Sequence, residues 1–411
     1  MAAIRTETEL PDRTPPIQVG IFEESHRLRA AAVWGPVGAE AVLAQALPEE
    51  ISLFFKTFDV PEARREGLRY TQTLQDYGVH IIPVRDRLAA LLTPAKSGSK
   101  SELIAQLINK TKYFQEYHGT KVNNYGDQIK TLVEQDIERY GEEQAVALNT
   151  TLSLDPKLPL GNLIYARDQM NVLLNFRVSS SMTKDIRKPE VALYEQVYAD
   201  SLPAHPVITI PEGERFEGGD AYIHNGYMFV GVGARTSFGA ALKIFWNLKN
   251  SLDAAHLKFA IVEDSDSKNR PFGEQQDFMH LDTFSNPIGK KEIAVCEEEA
   301  TRRRVKFIDA TIDGTLTISS YQPRFMDFLA RHDDKVIIIP REEQKEFGCN
   351  FLLLGKENGQ DTVLVPLESN RSINDQLTKS GKNVVAVDLK ESTRGYGAAH
   401  CMTGQTWRSN E

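Results

Sequence analysis

Cys401 follows the run Gly395-Tyr396-Gly397-Ala398-Ala399-His400 and precedes Met402-Thr403. Small residues there let the backbone pack closely around the thiol. A cysteine in such company, with a histidine beside it, is a candidate nucleophile, although a cysteine taken at random is more often an inert buried thiol. Cys296 and Cys349 lie in or beside ordinary element patterns and read as inert. If Met279-His280-Leu281-Asp282-Thr283-Phe284 is extended, His280 and Asp282 share one face, and Met279 and Leu281 the other. An imidazole beside a carboxylate suits acid–base chemistry, and equally a satisfied surface pair. Glu217-Gly218-Gly219-Asp220 sets two carboxylates around two glycines, which permit positive φ or close approach of another backbone. Alone, that run reads as a turn with solvated acids, and Ala166-Arg167-Asp168-Gln169 as a salt bridge.

These residues need a scaffold. Strand-like runs are expected at 17–22 and 30–34, a helix over 62–77 ended by Gly78, and a strand at 79–84. Residues 93–100 are linker-like. Helical spacing then recurs over 101–117, 128–140 and 142–148, so residues 98–153 read as an inserted helical subdomain. Further strands are expected at 207–210, 227–232, 258–262, 292–295, 305–308, 335–339, 351–354, 362–365 and 383–387, with helices over 239–252 and 371–379. Asn225-Gly226 between two apolar runs predicts a tight hairpin. The class is mixed α/β with hairpins and crossovers, and the bare pattern also suits a doubly wound sheet. Residues 1–16 read as a disordered leader, leaving 17–411 for the main domain.

The chain has 411 residues and a formal net charge of -9, which argues against a general nucleic-acid binder. Three scattered cysteines make neither a disulfide framework nor a zinc knuckle, so a reducing, cytoplasmic compartment is expected. The first residues lack a signal-peptide apolar core, and no apolar run reaches bilayer length, so no membrane association is expected. The composition is compatible with a homo-oligomer.

In order and spacing, Asn162-Leu-Ile-Tyr-Ala-Arg-Asp168, Phe216-Glu-Gly-Gly-Asp220, Gly233-Ala-Arg-Thr-Ser237, Phe278-Met-His-Leu-Asp-Thr-Phe284 and the Cys401-Met402-Thr403 run resemble the arginine deiminase family. The resemblance covers nearly the whole chain after the leader, including the helical insertion. It implies a pseudo-fivefold α/β propeller of ββαβ modules around a central site, and a hydrolase converting arginine to citrulline and ammonia without metal or cofactor. By the same resemblance Cys401 is the nucleophile, His280 the general acid/base, Glu217 its carboxylate partner, and Asp168 and Asp282 the acids that grip the guanidinium. Asn162, Arg187 and Arg235 match positions that hold the substrate's α-carboxylate end. Two residues depart from the family pattern: His400 stands where arginine is usual, which puts it beside that carboxylate clamp, and Gln169 where proline is usual.

The chemistry suits these residue types. A guanidinium is planar, charged and poorly electrophilic; carboxylates bind its nitrogens in paired, charge-assisted bonds and present its carbon to sulfur. A thiol is mostly protonated at neutral pH, so attack needs help from nearby positive charge. Three rivals remain: an amidinotransferase that passes the adduct to an amine, an arginine dihydrolase, and a non-catalytic arginine-binding protein on the same scaffold.

Overall fold

The computed structural model describes residues 18–94, 98–202, 205–249, 251, 256–310, 315–333, 335–366 and 371–410. The expected leader at 1–16 lies outside them, as does part of the linker-like stretch at 95–97. The described strands form five separate sheets, so the doubly wound alternative is set aside.

Each sheet contains the same unit, an antiparallel pair with a third strand parallel to its second member. The first sheet joins Gly404–Ser409, Arg27–Val33 and His80–Pro83. The second joins Met170–Leu173, Phe176–Ser179 and Val207–Thr209. The third joins Ala221–His224, Tyr227–Val232 and Lys258–Glu263, and is extended by Arg304–Ala310 and Leu316–Ile318. The fourth joins Ser285–Gly289, Glu292–Cys296 and Lys335–Ile339; the fifth joins Leu352–Glu357, Gln360–Pro366 and Asn383–Val387.

A parallel neighbour requires a crossover, and each unit places a helix there. These helices are Val60–Asp76, Lys188–Ser201, Phe238–Leu248, Phe325–His332 and Arg371–Lys379. Four of the antiparallel pairs close by short turns: Asn225 (φ 49°) and Gly226 (φ 75°) take the left-handed conformations that such a turn demands. Asn358-Gly359 (φ 51° and 84°) repeats the device.

Several expected elements shift at their ends or change kind. The helix expected over 62–77 spans Val60–Asp76, with Asp59 accepting the Glu62 N–H as its cap. The strand expected at 17–22 is reduced to isolated bridges at Gly20 and Ile21. The expected helical block contains Lys100–His118, Tyr125–Tyr140 and Glu142–Asn149, followed by a π-helical turn at Thr150–Leu154. Ser99 and Glu102 form a capping box at its start, and Gly119 (φ 69°) ends the first helix.

The helical block shares one apolar core with the first sheet: Leu103, Leu107, Ile129, Leu132 and Val133 pack in the same cluster as Val33 and Trp34. An ion network reinforces the join. Fully buried Arg85 donates to Glu40 at 2.6 Å and to Asp136 at 2.7 Å, and Arg64 reaches the other Asp136 oxygen at 2.9 Å.

Candidate active site

Asp168, Glu217, His280, Asp282 and Cys401 occupy equivalent places in four of the five units, in the connection leading into the first strand of the antiparallel pair. Asp168 precedes Met170–Leu173, Glu217 precedes Ala221–His224, and His280 and Asp282 precede Ser285–Gly289. Cys401 precedes Gly404–Ser409. The corresponding residue before Leu352–Glu357 is Asn350, which the sequence reading passed over. Its signal was positional: a polar residue just ahead of a predicted strand, as in the other four units.

Local chemistry shapes each connection. The extended form considered for the 279–284 run is not the one adopted. Leu281–Thr283 forms a 3-10 turn, because Leu281 N–H donates to Asp220 Oδ1 at 3.0 Å and Thr283 Oγ1 returns to the His280 carbonyl at 2.8 Å. Leu281 is drawn into the core, and His280 and Asp282 are left on the site. The two glycines of the 217–220 run serve close approach. A Cβ on Gly218 would lie 2.0 Å from the Arg167 carbonyl oxygen; one on Gly219 would lie 2.6 Å from His280 Nδ1 and 3.0 Å from Asp282 Oδ1.

His280 Nε2 donates to Glu217 Oε2 at 2.9 Å, and its Nδ1 lies 3.5 Å from Asp168 Oδ1. Burial disfavours its charge, but Asp168, Glu217 and Asp220 outweigh that and raise its pKa to about 9. Burial also works against the Glu217 carboxylate, yet Arg235, His280 and Arg187 hold its pKa well below the ordinary range. The pair is therefore imidazolium and carboxylate at neutral pH. Asp220 is raised to about 7, chiefly by burial.

Arg187 donates to Asp168 Oδ2 at 2.7 Å and to Glu190 at 3.0 Å. Gln169 donates to the same Glu190 oxygen at 2.7 Å. Arg235 lies 3.4 Å from Glu217 Oε2 and donates to Gln276 at 2.7 Å. Asn162 donates to the Ser52 carbonyl at 2.8 Å. Asn162, Asp168, Arg187 and Arg235 line one narrow cleft together with Leu53, Gln276 and Tyr396.

His400 lies elsewhere, fully buried and outside that lining. Arg408 Nε donates to Gln405 Oε1 at 2.6 Å, which turns the Gln405 amide nitrogen toward His400 Nε2 at 3.3 Å. That nitrogen is thus the acceptor, and Nδ1–H donates to Asp282 Oδ2 at 2.7 Å. Burial, together with Arg167, lowers the His400 pKa, so the ring is neutral and fixes Asp282.

Cys401 is buried, with Sγ 3.9 Å from Asp282 Oδ2 and 3.1 Å from Asn350 Nδ2. Burial raises the thiol pKa well above its ordinary value, with Asp282 and Asp168 adding to the rise. Three buried atoms next to this chemistry have no hydrogen-bond partner: Asp168 Oδ1, Asp282 Oδ1 and His280 Nδ1.

Atoms of Asp168, Glu217 and His280 also lie within 4.8 Å of one another, the spacing of a three-ligand metal site. Arg187 on Asp168 and Arg235 on Glu217 already supply the positive charge that an ion would bring. Among the described residues no helix is long and apolar enough to cross a membrane.

The sequence pattern of arginine deiminases matches residues 52–408. The chain belongs to the arginine deiminase family. It is 24% identical over 422 residues to the arginine deiminase of Mycoplasma capricolum, covering 96% of this chain and 98% of that one. It is 23% identical over 485 residues to the arginine deiminase of Halobacterium salinarum, covering 95% and 98%. It is also 26% identical over 300 residues to the uncharacterized Bacillus subtilis protein YkgA, covering 73% and 86%. Two solved structures share the fold. One is a DDAH from Pseudomonas aeruginosa complexed with citrulline, with a TM-score of 0.54, 15% identity, and coverage of 93% of this chain and all of that one. The other is SxtG, an amidinotransferase from Microseira wollei, with a TM-score of 0.54, 15% identity, and coverage of 96% and 98%. Family membership places this chain among guanidino-modifying enzymes.

Proposed function

We propose that this protein hydrolyses a guanidinium group, with L-arginine as substrate and L-citrulline and ammonia as products, through a covalent adduct on Cys401. The observation that carries this reading is the pair of undonated carboxylate oxygens, Asp168 Oδ1 and Asp282 Oδ1, buried around Cys401 and His280. A buried, unpaired acceptor is costly. A flat cation with several N–H donors satisfies both at once and brings its central carbon to the sulfur. In the same reading the five units close around this site as a pseudo-fivefold propeller.

The guanidinium's charge offsets the two acids that hold Cys401 protonated, so substrate binding itself favours the thiolate. The sulfur attacks the guanidinium carbon. The tetrahedral centre expels one nitrogen as ammonia, which takes a proton from the His280 imidazolium. A thiouronium remains on Cys401. Neutral His280, steadied by Glu217, then removes a proton from water, whose oxygen adds to the same carbon. Collapse breaks the C–S bond, the hydroxyl proton passes to the departing sulfur, and citrulline is released from the Cys401 thiol. Arg187, Arg235 and Asn162 line the cleft leading to Asp168 and receive the substrate's α-carboxylate. His400 is assigned to Asp282 and not to that carboxylate.

The test is incubation with arginine, agmatine and methylated arginines, with products identified by mass spectrometry. Citrulline from arginine, with agmatine turned over more slowly, supports the reading. Formation of product only when a second amine is supplied replaces it with amidino transfer.

A further inference from the structure

Asn350 makes more contacts to the nucleophile's turn than any other side chain described above. Its Oδ1 accepts the Ala398 N–H at 3.0 Å and the Cys401 N–H at 3.1 Å. Two donors converging on one atom require that atom to be oxygen. The amide nitrogen must then face the other way, where it lies 3.1 Å from Cys401 Sγ and 3.2 Å from the Asp282 carbonyl oxygen. The backbone carbonyl of Asn350 also accepts the His400 N–H at 3.1 Å. The side chain is fully buried, and its amide orientation is set on both ends.

The electrical setting of the sulfur gives these contacts meaning. Burial, Asp282 and Asp168 all oppose the thiolate. What favours it in the unliganded site is the hydrogen bond from the Asn350 amide, 3.1 Å from the sulfur. A neutral N–H donor supports a negative sulfur without adding a cation that would compete with a guanidinium for the two aspartates. The same amide reaches the Asp282 backbone, so it fixes the nucleophile relative to the acid that grips the substrate.

We infer that Asn350 is a further catalytic residue, whose side-chain N–H stabilises the thiolate form of Cys401 while its carbonyl oxygen holds the turn that aims it. The inference rests on the reading of Cys401 as nucleophile.

The test is the rate at which iodoacetamide alkylates Cys401 in the full-length protein, followed by peptide mass spectrometry between about pH 7 and 9. Cys296 and Cys349 serve as internal references. Below the thiol pKa the rate tracks the thiolate fraction, so a rise of one unit is about a tenfold loss at every pH. Asn350→Asp keeps an oxygen for the two backbone N–H groups but puts a carboxylate oxygen where sulfur had a donor. Asn350→Ser is too short to reach the sulfur. Both variants are expected to slow Cys401 alkylation about tenfold or more, with the reference cysteines unchanged, and to lower kcat more than KM. Cys401 rates within twofold of wild type in Asn350→Ser, or in a folded Asn350→Asp, would overturn the assignment even if kcat fell, since a purely structural role leaves the thiolate fraction alone. Alkylation needs no substrate, so this result stands apart from whether arginine is turned over.

Discussion

Replacing Glu217 with glutamine removes a negative charge 2.9 Å from His280 Nε2 while nearly preserving side-chain shape. Two of the four influences that hold the His280 pKa at about 9 come from Glu217, its hydrogen bond and its charge. An opposite charge at this range is worth about one to three pKa units. The change also leaves Arg235, now 3.4 Å from a neutral amide, as an uncompensated cation near the imidazolium. A fall of about two units, roughly 2.7 kcal/mol, follows, to a pKa near 7. At about pH 8 the protonated fraction then drops from about nine-tenths to about one-tenth, whereas at about pH 6 the wild type is almost fully protonated and the variant still about nine-tenths. If His280 must carry the proton delivered to ammonia, the ratio of variant to wild-type kcat/KM falls about tenfold between those two pH values, on top of any uniform loss. The assay is a pH–rate profile for each protein with an NMR titration of the His280 ring. A variant whose ring still titrates near 9, or a rate ratio flat with pH, refutes the acid role assigned to His280.

Cys401→Ala is expected to abolish turnover and leave the circular dichroism spectrum unchanged; more than a small residual rate excludes the covalent route. Asp168→Asn and Asp282→Asn should each lower kcat as well as raise KM, because both hold the group that reacts; an effect on KM alone removes that role. Activity is expected to survive exhaustive chelation despite the convergence of Asp168, Glu217 and His280, and loss with recovery on adding a divalent ion points to a metal there. Arg85→Met should destabilise the fold by about 3 kcal/mol, since it leaves Glu40 buried without its cation and takes one of two arginines from Asp136. A urea midpoint equivalent to under about 1 kcal/mol contradicts that account.

The strands at Tyr227–Val232, Lys335–Ile339 and Asn383–Val387 were legible to the residue, because short apolar runs there are bounded by turn residues. The division into five units was not. It depends on which strands pair across long separations, as Arg27 does with Ser409, and local periodicity carries no record of pairing partners. The site was legible through motif order, so Cys401, His280, Glu217, Asp168 and Asp282 were named before any geometry. Alternation in the 279–284 run holds only if it is extended, and the N–H that bends it is claimed by Asp220, sixty-one positions away in the sequence. His400 was read through its neighbour Cys401, but the direction of its ring is set by Gln405 and Arg408. Asn350 carries only a positional signal, a polar residue just ahead of the strand expected at 351–354, and no motif marks it.

The first sheet is assembled from distant parts of the chain: Gly404–Ser409, directly after the nucleophile, closes against Arg27–Val33. Contacts between such remote segments form late and slowly, because a very large loop must be closed before they gain anything. Until that happens the thiol has neither its amide donor nor its aspartates, so a partly folded chain carries no assembled reactive centre. Chemistry is thereby tied to completion of the fold, and mild denaturant that frays this single closure should silence the enzyme while the other four sheets still give a near-native spectrum.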